Sequence, residues 1–264
     1  MRHLFITLIA ALPLTSISLA RTMKEAPELG KIFEAQGVTG TFVLFDVEAD
    51  TMQVWNVARA KKRFVPASTF KIPNSLIGLE TGAVKDVDEV LPYGGKPQRL
   101  KSWEKDMSLR EAIKVSNVPV YQELARRIGR ERMNERLTKL GFGSTEIGEV
   151  VDQFWLKGPL TISAIEQTDF LARLAAGKLP VSRTATEAVK EITLLEKTNA
   201  YALHAKTGWY SSEGEKDAIG WWVGWVEREG KVYSFAVNID MARESDAAKR
   251  ISIGKECLKA LGKI

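Results

Sequence analysis

Apolar residues recur with two different spacings along this chain, and the change of spacing divides it. From Thr41 to Val57, TFVLFDVEADTMQVWNV holds two β-rich runs on either side of the turn-like Glu48-Ala49-Asp50, a pattern that predicts a hairpin. Near the other end ALHAKTGWY and GWWVGWVEREGKVYSFAVNID, linked through residues 211–217, predict three more strands. Between these ends the periodicity is helical. Ser108-Leu109-Arg110-Glu111 and Ser163-Ala164-Ile165-Glu166 read as capping boxes, in which serine and glutamate satisfy N–H groups that a first helical turn leaves free. Gly129, Gly141 and Gly177 follow apolar-periodic segments, where left-handed caps are expected. Lys249 to Leu261 reads as a last amphipathic helix with Cys257 on its apolar face.

These elements predict an α/β (α+β) fold: an antiparallel sheet built from both chain ends, flanked by helices, with a mainly helical lobe inserted. The expected sheet lobe covers 21–66 and 200–264, and the helical lobe about 67–199, within one domain of residues 21–264. Clefts form at such junctions.

Residues 1–20, MRHLFITLIAALPLTSISLA, precede that domain. One arginine, an apolar run from Leu4 to Leu14 and the small-x-small Ser18-Leu19-Ala20 predict a cleavable export signal. Pro13 and the polar Thr15 to Ser18 leave the run too short to span a bilayer, so no membrane anchor is expected.

Composition removes several function classes. The formal charge of +5 is mild, includes Arg2 of the leader, and is not clustered among aromatics, so no nucleic-acid partner is expected. Cys257 is the only cysteine, which rules out an intrachain disulfide. The two histidines are His3, in the leader, and His204. A His/Cys metal site therefore lacks ligands, and a Ser-His-Asp triad would have to rely on His204. The expected base is a lysine or a carboxylate, with no metal. Monomer and homodimer are both compatible with the pattern.

PASTFKIPNSL, residues 66–76, places Ser68 one helical turn from Lys71. Pro73 has no N–H and fits only the first turn of a helix, so the helix is expected to begin near Thr69 or Phe70, with Ser68 at its N-terminal mouth. Free N–H groups there stabilise developing negative charge. Lys71 lies between Phe70 and Ile72 with no acid before Glu80. An ordinary lysine is neutral only about once in 2,500 at pH 7, a cost of roughly 4.6 kcal/mol for a base, which apolar burial offsets. Two further stretches join it. Ser116-Asn117-Val118 stands before Pro119 in a tight interhelical connection, and Lys206-Thr207-Gly208 sits on a predicted strand where Gly208 admits a second backbone.

In the order Ser-x-x-Lys, Ser-x-Val, Lys-Thr-Gly, these match the signature of penicillin-recognising serine enzymes. Together with Phe142-Gly-Ser144, Phe154-Trp155-Leu156 and Trp221-Trp-Val-Gly224, the chain resembles a class D, oxacillinase-type serine β-lactamase over essentially its whole mature length. Val118 discriminates: class A enzymes and many penicillin-binding proteins have asparagine at that place. The resemblance implies a single catalytic domain in the periplasm, a small-molecule β-lactam substrate, Ser68 as nucleophile, and no cofactor beyond the carbon dioxide that carbamylates Lys71 to N6-carboxylysine. It implies that Trp155 donates to the carbamate, that Val118 lines its pocket, and that Ser116 and Lys206 relay a proton to the leaving nitrogen. The backbone N–H groups of Ser68 and Trp209 would form the oxyanion hole, and Thr207, Gly208 and Arg250 would bind substrate. Strict strand alternation turns Thr207 away from the face of Lys206 and Gly208. Arg243 competes with Arg250 for the substrate carboxylate.

One motif departs from the family pattern: Ser144 stands where Asn is usual, in a loop read as shaping the cleft. Glu166 offers a rival base, although its capping box accounts for it. A cell-wall D,D-peptidase and a non-hydrolytic β-lactam sensor share the same nucleophile and are the alternative functions.

Overall fold

The computed structural model describes residues 21–211 and 218–264; the expected leader and most of the 211–217 link lie outside them. In chain order the elements are β1 (Thr22–Glu25), α1 (Gly30–Gln36), β2 (Gly40–Asp46), β3 (Thr51–Trp55), α2 (Val57–Lys61) and α3 (Lys71–Glu80). Next come β4 (Val90–Leu91), β5 (Met107–Ser108), α4 (Leu109–Lys114), α5 (Val118–Ile128), α6 (Arg130–Leu140) and α7 (Phe154–Lys157). The chain closes with α8 (Ala164–Ala175), α9 (Arg183–Thr193), β6 (Leu194–Lys197), β7 (Ala202–Tyr210), β8 (Ala218–Arg228), β9 (Lys231–Met241) and α10 (Lys249–Ala260).

Seven strands form one sheet in the order β1-β3-β2-β9-β8-β7-β6. Every pairing is antiparallel except β1 with β3, which runs parallel because α1 and β2 separate them in the chain. The hairpin of β2 and β3 and the three-strand meander β7-β8-β9 are those the alternation predicts. The near-continuous apolar run of β8 follows from burial on both faces. Trp221, Val223 and Trp225 enter the core shared with the helical insert, whereas Trp222 and Val226 enter a second core with Phe33 of α1 and Ile253, Cys257 and Leu258 of α10. Gly254 lets α10 lie on the sheet: a Cβ there would stand 2.1 Å from Trp222 Cε3.

The insert does not stand apart from the sheet at the expected boundaries. α8, within 67–199, packs on β2 and β9, and Ser234 Oγ of β9 donates to Thr168 O at 2.8 Å. β6 already belongs to the sheet before residue 200. Both capping boxes form, with Glu111 N donating to Ser108 Oγ at 3.3 Å and Glu166 N to Ser163 Oγ at 3.2 Å. Gly141 (φ 63°) is the left-handed cap of α6 and Gly177 (φ 64°) follows α8 similarly. Gly129 differs: at φ 78°, ψ 157° it is extended with positive φ, because it must both end α5 and open α6.

Candidate active site

The helix that carries Lys71 begins with a 3-10 turn, Ala67–Phe70, and becomes α-helical at Lys71, so its α-helical part starts later than Pro73 alone suggested. Ala67 holds φ 50°, a region that non-glycine residues enter at a cost, and this tight turn presents Ser68 at the surface of a cleft. Thr69 Oγ1 ties the turn back to Pro66 O at 2.8 Å and accepts from Gln167 Nε2 at 2.7 Å.

Lys71 is fully buried, and its Nζ donates to Ser68 Oγ at 2.9 Å. No acid pairs with it among the described residues. Burial holds its pKa well below the ordinary lysine value, and the nearby charge of Lys206 depresses it further. An aromatic cluster keeps the pocket dry: Phe70 stacks on Trp155 (centroids 5.3 Å apart) and meets Phe142 and Phe154 edge-on. Trp155 Nε1 is buried with no acceptor. A buried indole N–H without an acceptor, stacked on the Phe70 that adjoins Lys71, and a buried amine without a carboxylate are the surrounding a lysine carbamate needs, so these residues fit that group.

A second serine faces the cleft from the connection between α4 and α5. Ser116 has φ 57°, and the adjacent Asn117 fixes the turn: its Oδ1 accepts from Val120 N at 3.1 Å and its Nδ2 donates to Trp103 O at 3.2 Å. Ser116 Oγ accepts from Lys206 Nζ at 3.0 Å. Lys206 is 5% exposed, and burial, with Arg250 adding repulsion, lowers its pKa to about 7.

The register of β6 with β7 ends at His204, so from Thr207 onward that edge of β7 borders the cleft. Gly208 cannot carry a side chain, since a Cβ would stand 2.8 Å from Pro66 O, and this close approach brings the strand against the Ser68 turn. Trp221 Nε1 donates to Val65 O at 3.0 Å and fastens the same junction. Thr207 departs from the alternation argument. The Lys206 stem curls along its own strand, so Nζ donates to Thr207 O at 3.0 Å and approaches Thr207 Oγ1 at 3.3 Å; Thr207 therefore lines the cleft with Gly208 and Trp209.

Of the two competing arginines, Arg250 borders the cleft, with Nη1 donating to Gly208 O at 2.5 Å. Burial lowers its pKa to about 10, and its Nε is buried without an acceptor. Arg243 is exposed, and its N–H donates to Asp246 Oδ2 at 3.0 Å in the turn before α10. The cleft encloses about 390 Å³, with Ser68, Ser116, Val118, Thr207 and Trp209 among its lining residues. Trp103, Leu156, Lys157, Arg99 and Glu244 also line it. Leu156 belongs to the Phe154-Trp155-Leu156 motif, whereas sequence reasoning did not reach Trp103, Lys157, Arg99 and Glu244, because residues far apart in the chain carry no periodic signal that joins them.

One expectation is corrected. The Phe142–Ser144 loop does not line the cleft: Phe142 packs behind Phe70, and Ser144 bonds Thr161 through its N–H (2.8 Å) and its Oγ (3.1 Å), so this segment braces the core. Glu166 behaves as its capping box implied: it caps α8, receives Arg63 Nε at 3.0 Å and is absent from the cleft lining, which leaves the rival base without a place at the site. His204 lies stacked on Trp225 (4.3 Å) with Nδ1 2.9 Å from Lys190 O, outside the cleft.

A sheet and helical insert that bring two serine-lysine pairs to one cleft define the penicillin-recognising serine enzymes. Residues 38–259 match the family described as penicillin binding protein transpeptidase domain. Within it, the chain belongs to the class D β-lactamases. It is 44% identical to β-lactamase OXA-5 of Pseudomonas aeruginosa, over 94% of this chain and 93% of that protein, and 42% identical to β-lactamase OXA-48 of Klebsiella pneumoniae, over 92% and 91%. The crystal structure of FUS-1 (OXA-85), a class D β-lactamase from Fusobacterium nucleatum subsp. polymorphum, superposes with a TM-score of 0.88 at 48% identity, covering 91% of this chain and 100% of that one.

Proposed function

We propose that the chain hydrolyses the amide bond of β-lactam antibiotics through an acyl-enzyme on Ser68. The observation that carries this reading is the 2.9 Å contact between Ser68 Oγ, open to the cleft, and the amine of a lysine that is sealed from water and has no acidic partner. Carbamylation of Lys71 by carbon dioxide would supply a general base, and the orphaned Trp155 N–H and the depressed pKa of the amine support it.

In acylation, Ser68 Oγ loses its proton toward the Lys71 position and bonds to the lactam carbonyl carbon. The N–H groups of Ser68 and Trp209 hold the resulting oxyanion; losing one such donor costs on the order of 10² to 10³ in rate. When the C–N bond breaks, the nitrogen takes a proton from Ser116 Oγ, which Lys206 replenishes across 3.0 Å. A lysine with a pKa of about 7 exchanges protons readily at neutral pH. Arg250 and Thr207 attract the substrate carboxylate, Val118 keeps the base dry, and water then cleaves the Ser68 ester. Removal of residues 1–20 during export would place the enzyme in the periplasm; among the described residues no helix is long and apolar enough to cross a membrane.

Mixing pure protein with a chromogenic cephalosporin tests the reading. Many turnovers per molecule are expected, whereas one stoichiometric burst would favour a sensor or a slowly deacylating peptidase. Acid treatment should inactivate and bicarbonate restore; a partly inactivated sample that ignores bicarbonate would refute the carbamate.

A further inference from the structure

Beneath Lys71 lies a buried polar chain that the reaction above leaves unused. Ser75 Oγ stands 2.8 Å from Lys71 O and 2.9 Å from Tyr121 Oη, and Asn74 Nδ2 donates to Tyr121 O at 3.1 Å. Lys71, Asn74, Ser75 and Tyr121 are each 0% exposed, and the Tyr121 ring centroid lies 5.1 Å from Lys71 Nζ. Proton counting fixes the direction. Lys71 O only accepts, so the single Ser75 proton points to it, and Tyr121 O–H must donate to Ser75 Oγ. Burial raises the phenol pKa and keeps that donor protonated.

The chain therefore joins the first turn of α3, which carries Lys71, to the first turn of α5, which begins at Val118 just after Ser116. A hydrogen bond in a dry interior is rigid and costly to leave unmade. A freely rotating lysine stem would lose the contact with Ser68.

Taking Lys71 as the base, we propose that Tyr121 is a positioning residue: its hydroxyl, acting through Ser75, fixes the turn that carries Lys71, and its ring seats the Lys71 amine for carbamylation. Uptake forms one N–C bond between the neutral amine and carbon dioxide and releases one proton to solvent. The charged or titratable groups that face Lys71 are Lys206 from β7 and Tyr121 from α5.

Tyr121→Phe keeps the ring and removes only the donor. Carbamate occupancy is read by 13C NMR during titration with 13C-bicarbonate, beside kcat and Tm. The variant should need at least about threefold more bicarbonate for half occupancy and lose about five- to tenfold in kcat at fixed bicarbonate, with KM little changed, since misplacement of a reacting group by about 1 Å can cost about 10²-fold and a smaller shift correspondingly less. Ser75→Ala cuts the chain from its other end and should shift the midpoint in the same direction, and the double variant should be no worse than the poorer single one. A fall in Tm with the bicarbonate midpoint unchanged in both variants would make the chain merely structural and overturn the proposal. Absence of a carbamate signal from the wild type would instead refute the reading on which the proposal rests.

Discussion

On the outer face of the helical insert, Arg110 reaches Asp88 at 2.7 Å and Glu191 at 2.6 Å, Arg126 reaches Asp152 at 2.6 Å, and Arg127 reaches Glu89 at 2.7 Å. All these groups keep some contact with water. In the cleft Lys71 and Lys206 are buried, Arg250 is half-buried, and none of the three pairs with an acid among the described residues. The exposed pairs are each worth about 0–1 kcal/mol and decide little. The buried cations carry an unfavourable desolvation that nothing nearby offsets, which is why burial is the leading cause of their lowered pKa values. The protein thus balances charge where balance is cheap and withholds it where a neutral amine and a mobile proton are needed.

The contrast breaks most sharply at Lys71. Lys71→Met keeps the length and removes the amine. Turnover of any β-lactam should fall by about 10² to 10⁴, the usual contribution of a general base, while chemical denaturation should show a gain of about 0.5–2 kcal/mol in stability. A variant that loses stability would mean that contacts of the amine, such as the one with Ser68, outweigh its burial penalty.

Lys206 sharpens the comparison through pH. Its pKa is about 7 in the folded chain, against an ordinary 10.5, so between these values the unfolded state binds more protons and stability rises with pH. The penalty is complete below about pH 7 and gone above 10.5. Lys206→Met should abolish this slope, so that wild type and variant differ in stability at pH 6.5 and converge toward pH 10. Equal differences at both pH values, measured by urea unfolding, would contradict a desolvated cation at this site.

What the sequence revealed follows the same division between local and distant. Ser108 with Glu111, Ser163 with Glu166, and Ser68 with Lys71 lie three residues apart, so one helical turn enforces each pairing and the letters suffice. Gly208 was legible for a related reason, since a missing Cβ permits only a close approach. Tyr121 was not, because its partner Ser75 lies 46 residues away and a tyrosine in an apolar helical stripe reads as core. Thr207 was placed at the site by the family resemblance against the alternation argument, which describes only where a Cβ points; the flexible Lys206 stem carries its amine back to the Thr207 hydroxyl. Ser144 looked like part of the cleft only by chain position; the fold turns it toward Thr161. Arg250 and Arg243 are the same residue type, and only the bond that Arg250 makes from α10 to Gly208 O of β7 separates them.

The smallest effect is expected at Glu166, a capping carboxylate outside the cleft. Burial alone would raise its pKa, but Arg63 and the capping N–H of Ser163 outweigh that and lower it, so it stays ionised at neutral pH. Glu166→Gln retains an oxygen that can accept from Ser163 N and loses only the charge opposite Arg63, whose side chain is 48% exposed. Such a pair contributes below about 1 kcal/mol, so the variant should unfold nearly as the wild type does and turn over penicillins within about twofold of it. A carboxylate that activated the deacylating water would behave otherwise, because its loss would trap the acyl-enzyme and slow turnover by at least about 10². Mass spectrometry of the variant under steady turnover separates the cases: free Ser68 supports a base at Lys71, and accumulated ester would move the base to the helix cap.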